Sequence, residues 1–299
     1  MQNEETPTGT SVPAAASGRG IPWIMLATFL FVTMDTMVKT LLHDGYELPQ
    51  VVWGRYFFHV LFLMIVLAPR IRTVARSANL KLQLVRSILM LATTSLFFAG
   101  LMFVPLAEAS AMMLISPLIV TALAMPVLKE SVGPRRWAGV VIGMIGAIII
   151  IRPGSAVMSL GILLPAAAAG SYAVYQVSTR LLSHADPILT TLFYTALVGA
   201  IMTSLVTPFY WTEPTPIAWA FMIGAGLCGG IGHFALIKAL TLSPASVIAP
   251  YSYLNLIWAT VYGFLIFAEL PDIWTVIGAA IITGSGLYVY HREKQRNIS

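Results

Sequence analysis

The sequence predicts an all-α polytopic membrane protein: ten transmembrane helices as two inverted five-helix repeats, with both termini cytoplasmic. Three observations carry this reading. Apolar runs as long as a bilayer is thick fill almost the whole chain, basic residues gather on every second connection, and a fixed residue spacing recurs in the second half.

A helix needs roughly 20 mainly apolar residues to cross the hydrocarbon core. Such runs cover 21–42, 49–69, 82–104, 106–128 and 135–151, then 160–182, 187–210, 215–240, 244–268 and 272–290. The composition agrees: of 299 residues, 58% are hydrophobic and only 10% charged, well outside globular usage. Nothing is left over for a water-soluble domain, so the function must lie inside the membrane.

A net charge of +5 could suggest a nucleic-acid partner, but the placement of the basic residues argues for a membrane. With the N-terminus inside, Arg19, Arg70, Arg72, Arg76, Lys81, Arg86, Lys129, Arg135, Arg136, Arg180, Lys238, Arg292, Lys294 and Arg296 all fall at the cytoplasmic face, fourteen of the 17 Lys and Arg residues. The opposite loops carry Arg152 and the acids Asp44, Glu47, Glu213, Glu269 and Asp272. The positive-inside rule then sets the topology. Residues 1–20 read as a disordered cytoplasmic tail, and Glu4 and Glu5 do not suit a secretory signal. Residues 291–299 form a second short tail. Cys228 has no partner for an intrachain disulfide.

Two repeats organise the rest, 21–152 and 153–290. Glu130 precedes Gly139 by nine residues, and Glu269 precedes Gly278 by the same distance. Phe98-Ala99 and Ala109-Ser110 return as Phe234-Ala235 and Ala245-Ser246 at one offset of 136. Because each half holds an odd number of helices, the second enters from the opposite side, the arrangement many secondary transporters use for alternating access.

The chain resembles the drug/metabolite transporter superfamily and, within it, the EamA-like branch. The resemblance rests on Asp35 with Lys39, Gly54-Arg55-Tyr56, Pro105-Leu106-Ala107-Glu108-Ala109, Ser116-Pro117-Leu118, Lys129-Glu130 with Pro134-Arg135-Arg136-Trp137, and Arg152-Pro153-Gly154. It spans residues 21–290 and implies a ten-helix transporter. It does not imply one substrate, since the branch is described as moving amino acids, riboflavin, S-adenosylmethionine, nucleotide sugars and drugs. The second half lacks counterparts of the Asp/Lys pair and of Gly54-Arg55.

The residues also point to a substrate cavity on their own. A charge held at mid-bilayer costs roughly 2.5–3.5 kcal/mol on insertion scales, so each one is a site candidate with a partner to find. Asp35 lies well inside helix one, with Lys39 one turn further out on the same face, and Arg55 reaches a similar depth from helix two. Asp35 can therefore pair with either cation. For Asp35 and Arg55 the alternative is a permanent ion pair that only locks two helices together. On helix nine Tyr251, Asn255, Trp258 and Tyr262 share one face, and on helix six Tyr172, Tyr175, Gln176 and Thr179 form a similar uncharged set. Aromatic walls with a few hydrogen-bonding groups suit a small-molecule site, although an interfacial belt or core packing would use the same residues. Glu108 opens helix four, where the helix dipole favours an acid; it and Asp35 are the coupling candidates.

Pro117 and Pro250 interrupt matching helices of the two halves and are candidate hinges. Gly139, Gly143 and the Gly224–Gly232 cluster suit close helix packing. His59 and His233 each lack a second ligand one turn away, so no metal site is expected. Arg86, Arg180 and Lys238 read as anchors at helix ends. No Walker motif, nucleophile elbow or HExxH occurs, so neither an enzyme nor a cofactor is expected.

The sequence reading is thus a secondary transporter of the bacterial inner membrane moving a small polar metabolite, an amino acid or derivative by export. The alternative is uptake of a vitamin or nucleoside-like metabolite of riboflavin or S-adenosylmethionine type. A different class is a non-transporting assembly or lipid-handling protein. The expected partners are the small-molecule substrate and the bilayer, with no nucleic acid and with a homodimer as an option.

Overall fold

The computed structural model describes residues 19–128, 133–153, 160–182, 186–243 and 249–296. Among these residues the chain is helical with no strand. The helices are α1 (Ile21–His43), α2 (Leu48–Leu67), α3 (Leu80–Leu101), α4 in two pieces (Leu106–Met113 and Ser116–Leu128), α5 (Pro134–Ile151), α6 (Leu163–Leu182), α7 (Ile188–Val206), α8 (Pro216–Leu242), α9 (Leu254–Phe267) and α10 (Ile273–Arg296). Among the described residues seven segments are long and apolar enough to cross a bilayer, and Trp137–Ile151, Leu254–Phe267 and Ile273–Tyr288 are shorter apolar helices.

Local chemistry sets the boundaries. Proline occupies the first turn of α1, α2, α5 and α8, where its missing N–H costs nothing. Asn79 caps α3 by accepting from Leu82 N at 3.1 Å, and Thr215 caps α8 by accepting from Ala218 N at 3.2 Å. Arg152 ends α5 in the left-handed conformation, φ 49°.

The packing shows the repeat directly. α1 lies along α8 as α6 lies along α3, α2 meets α8 as α7 meets α3, and α1 meets α9 as α6 meets α4. Exchanging each helix for the one five places later reproduces the pattern, while α2·α7, α5·α10 and α4·α9 map onto themselves. The loops obey the same exchange. Asp186, between α6 and α7, accepts from Ala78 N at 2.7 Å and Gln83 Nε2 at 2.8 Å, tying that loop to the α2–α3 connection. On the other face Gln50, opening α2, trades hydrogen bonds with Thr212 of the α7–α8 connection, donating at 2.7 Å and accepting at 3.0 Å.

Close approach depends on glycine. A Cβ on Gly226 would stand 2.4 Å from Phe58 Cβ and 2.9 Å from His59 N, and one on Gly199 would stand 2.3 Å from the Tyr56 ring. α8 and α7 thus press directly on α2. In lipid, where apolar burial gives no drive for helices to associate, such contacts and interhelical hydrogen bonds hold the bundle. Ile65, Leu205 and Phe209 point outward and are exposed, as lipid-facing residues must be.

The two proline expectations are corrected in detail. Helix four does not bend at Pro117 but breaks just before it, at Leu114–Ile115. The donor that Pro117 lacks leaves the ladder open, and tighter bonds replace it, from Leu114 N to Ala111 O and from Ile115 N to Met112 O, each 3.1 Å. The proline inside the continuing helix is Pro126. Pro250 lies not within a long helix but in the 3₁₀ turn Ala249–Tyr253 that precedes α9. Lys129, Glu130, Gly154, Ala245 and Ser246, used to recognise the repeat or the family, fall outside the described residues, as do residues 1–18.

Replacing Gly226 with alanine should therefore destabilise the protein by about 1–3 kcal/mol through forced separation of α2 and α8. Thermal unfolding in detergent, with Gly170→Ala as the control at a glycine with open space around it, measures this. Equal midpoints for the two variants would refute the close-packing role.

Candidate functional site

Arg55 organises the middle of the bundle. It projects from α2 and is buried, 3% exposed. Its Nη1 donates to Thr94 Oγ1 on α3 at 2.9 Å, its Nε to Met34 Sδ on α1 at 3.3 Å, and its guanidinium lies 4.6 Å from the centroid of the Tyr56 ring. These partners are neutral, and a thioether is a weak acceptor. Tyr56 Oη completes the cluster at 3.0 Å from Thr94 Oγ1.

Asp35 is also buried, within electrostatic reach of Arg55. The two form no ion pair, and among the described residues nothing donates a hydrogen bond to Asp35. The permanent Asp35–Arg55 lock is thus not what the structure shows. Lys39 is not the partner of Asp35 either. Its Nζ turns outward, donating to Glu269 Oε1 at 2.7 Å and to Val104 O at 3.2 Å, because the α9–α10 connection brings Glu269 over the outer end of α1. Glu269 also accepts from Leu106 N at 3.3 Å.

A second outer pair, Arg152 with Asp272 at 2.6 Å, joins the end of α5 to the start of α10. Both bridges cross between the repeats. Glu108 lies within electrostatic reach of all four of these charges. A cleft of about 320 Å³ lined by Lys39, His43, Phe103, Pro105 and Glu269 lies beside it.

Sequence reasoning treated His59 and His233 as separate. The structure stacks them, with ring centroids 5.8 Å apart and planes 8° apart, because the glycines of α8 let that helix sit against α2. Both ring nitrogens of His59 are buried without a hydrogen-bond partner. Arg55 is within electrostatic reach of both imidazoles.

Arg86 is the larger miss. Read as a helix-end anchor, it is buried in the bundle, 3% exposed. It donates to Thr179 Oγ1 at 2.6 Å, Thr191 O at 3.0 Å, Thr195 Oγ1 at 2.8 Å and Tyr175 Oη at 2.5 Å. The signal was available: Tyr175/Thr179 and Thr191/Thr195 are two i, i+4 acceptor pairs on α6 and α7, the helices an α3 cation meets. Tyr172 stacks on Tyr175, centroids 5.6 Å apart, and Gln176 is half-buried beside them on α6.

The α9 stripe instead faces α1. Trp258 packs edge-on to Phe29 at 5.5 Å, and Tyr262 Oη lies 2.9 Å from Thr33 Oγ1. Tyr251 packs on the cluster around Ile24 and Ala27. Asn255 Oδ1 and Trp258 Nε1 are buried and unpartnered. The structure therefore sets Asp35 near Arg55 and Tyr172 and Tyr175 at Arg86, with Tyr175 also within electrostatic reach of Arg55, packs Tyr251 and Trp258 of the α9 stripe on the other flank of α1, and moves Lys39 to the outer face. No group of three metal-ligating side chains occurs among the described residues.

A bundle of two inverted repeats with buried charges between them, tied by ion pairs at its outer face, is the architecture of a membrane transporter. The chain belongs to the EamA-like transporter family, which matches it twice, over residues 18–152 and 159–290. It is 28% identical over 279 residues to the S-adenosylmethionine uptake transporter of Rickettsia prowazekii, covering 92% of this chain and 94% of that one. It is 28% identical over 301 residues to the riboflavin transporter of Vibrio cholerae, covering 94% and 97%. The pseudopaline exporter of Pseudomonas aeruginosa is 25% identical over 275 residues, covering 88% and 93%. A solved crystal structure shares the fold with a TM-score of 0.63 at 18% identity, covering 96% of this chain and all of that one. The protein is a multi-pass transporter of the bacterial inner membrane, and its named relatives are carriers rather than enzymes.

Two predictions arise from the loops. Burial alone would raise the Asp186 carboxyl, but hydrogen bonds from Ser77, Ala78 and Gln83 outweigh it and hold the group below the ordinary carboxylate range. A depressed carboxyl stabilises the fold above its unfolded value of about 3.9 and loses that contribution as pH falls through its folded value. Asp186→Asn should cost about 2 kcal/mol at neutral pH and lose less stability than wild type as the pH is lowered through that range; unfolding midpoints across pH measure both. At the outer face, Glu269→Gln should raise the outward accessibility of a cysteine placed at Leu42, and Lys39→Glu with Glu269→Lys should restore protection. Equal labelling in all three proteins would remove the bridge as a closure element.

Proposed function

We propose that this protein is a secondary carrier that brings a nucleoside-like or vitamin metabolite into the bacterial cell. The supporting observation is near full-length similarity to carriers named for S-adenosylmethionine uptake and for riboflavin. Export of an amino acid, the first expectation from the sequence, has less support than this alternative, since none of those names describes it. The site suits such a cargo: stacked Tyr172 and Tyr175 offer a flat wall, and Arg55, Asp35 and His59 offer a few polar points that fix orientation.

Alternating access follows from the symmetry. The outer bridges Lys39–Glu269 and Arg152–Asp272 hold one face shut, and rocking one repeat against the other exchanges that closure for one on the inner face. The broken α4 and the 3₁₀ entry to α9 are the hinges, since each lies next to a proline in a repeat-related helix and has already surrendered regular hydrogen bonds. Asp35 is the coupling carboxylate: it is the buried acid of the described spans, it faces Arg55 without closing on it, and cargo entering between them changes the field it feels.

The test is flux in proteoliposomes. Saturable entry of labelled S-adenosylmethionine or riboflavin is expected, accelerated by an inward proton gradient. Asp35→Asn should abolish acceleration by the gradient while substrate exchange persists; a well-folded variant that still concentrates cargo would place coupling elsewhere. Pro117→Ala should slow flux several-fold with unchanged equilibrium binding, measured by thermal shift. Weakened binding at unchanged flux would make Pro117 part of the site instead.

A further inference from the structure

We propose that Arg55 and His59 form an anion subsite that receives a carboxylate of the transported cargo. This rests on the carrier reading above and names the chemistry its central site selects. A buried guanidinium in hydrocarbon is expensive unless a charge or several strong acceptors meet it. Arg55 has a hydroxyl, a thioether and an aromatic face, and none of these is an anion. Its Nη2 makes no hydrogen bond among the described residues, so one edge of the planar fork is free. A carboxylate takes two parallel N–H donors from such a fork.

His59 is the second, independent observation. One turn along α2 from Arg55, it is 2% exposed, and neither ring nitrogen has a partner. Buried polar groups are ordinarily satisfied, and one left open in a transporter core is a group waiting for a ligand. His233 stacks on its face and cannot serve its edge. The backbone of α2 is pinned against Gly226, so the imidazole is held where it stands.

Arg86 is not a rival site. Each of its nitrogens already donates to a hydroxyl or a carbonyl of α6 and α7, which leaves no free edge for a ligand. The neighbour of the subsite is Asp35. Two carboxylates beside one guanidinium repel, so an anionic cargo is best accepted together with a neutralising proton, and the proposed coupling then accompanies carboxylate binding. A cargo without an acid group would leave Arg55 as poorly met as it is now.

The experiment compares ligands differing only in that group. Binding of S-adenosylmethionine and of decarboxylated S-adenosylmethionine to the purified full chain is read by thermal shift, with riboflavin as a cargo lacking a carboxylate. The expected result is at least tenfold tighter binding of the carboxylate form, a ratio that collapses towards one in Arg55→Gln, is partly kept in Arg55→Lys and falls several-fold in His59→Phe. Arg55→Lys and a monodisperse elution profile separate loss of the subsite from loss of the fold. Equal binding of the two forms by wild type, no binding of either, or a ratio unchanged in Arg55→Gln overturns the subsite. Flux is read separately in vesicles. Riboflavin carried while carboxylates are ignored defeats the subsite and spares the carrier, whereas carboxylate-dependent binding without flux of any solute defeats the carrier and spares the subsite.

Discussion

A bilayer interior supplies no hydrogen bonds, and every other feature of this molecule answers to that fact. Each polar group within a span must be met from inside the protein. Many threonines of the spans return their hydroxyls to carbonyls one turn back, as Thr36 does to Val32 and Thr195 to Thr191. Arg86, which cannot be quieted locally, draws its acceptors from two other helices. Some groups remain unmet, and among them both nitrogens of His59 lie within reach of Arg55, which Asp35 also faces, while Asn255 Oδ1 and Trp258 Nε1 stay open on α9.

Glycine makes that approach possible. Gly226 and Gly230 admit Phe58, His59 and Phe62 of α2 against the backbone of α8, and this contact carries His233 onto His59. The same economy serves α5 and α10, where a Cβ on Gly278 would stand 2.6 Å from Gly146 O. Small residues thus do two jobs, bringing helices together where lipid provides no drive and setting the depth at which the polar groups of facing helices meet.

The two halves have similar frames but divide the chemistry unequally. Repeat-related ties hold opposite faces, Asp186 at the inner loops and Gln50 at the outer ones. The central charges, however, come from the first half: Asp35, Arg55 and Arg86 belong to α1, α2 and α3. The second half contributes mostly neutral groups, Tyr172, Tyr175, Thr179, Thr191, Thr195, Asn255 and Trp258, with His233. A symmetric frame around an asymmetric set of polar groups is what the proposed carrier would need for a cargo with one charged end and one flat, uncharged end.

By itself the sequence determined the class, most span boundaries to within a few residues, the repeat and the family, because hydrocarbon thickness and the sidedness of basic residues act on composition along a line; it set the start of the ninth helix ten residues early, at 244 rather than Leu254. It also singled out Asp35 and Arg55 as charges inside the spans, which the structure buries, since a charge within an apolar run is visible without any neighbour. What it could not reach were pairings across helices. Lys39 and Glu269 are 230 positions apart and were assigned to different settings, a helix and a loop. Arg86 looked terminal because its partners lie on α6 and α7, and His59 looked solitary because its stacking partner is on α8. Only tertiary structure decides such matters: rotation of each helix about its axis, and the depth at which it meets its neighbour, are fixed by side-chain contact between segments rather than by the pattern within one.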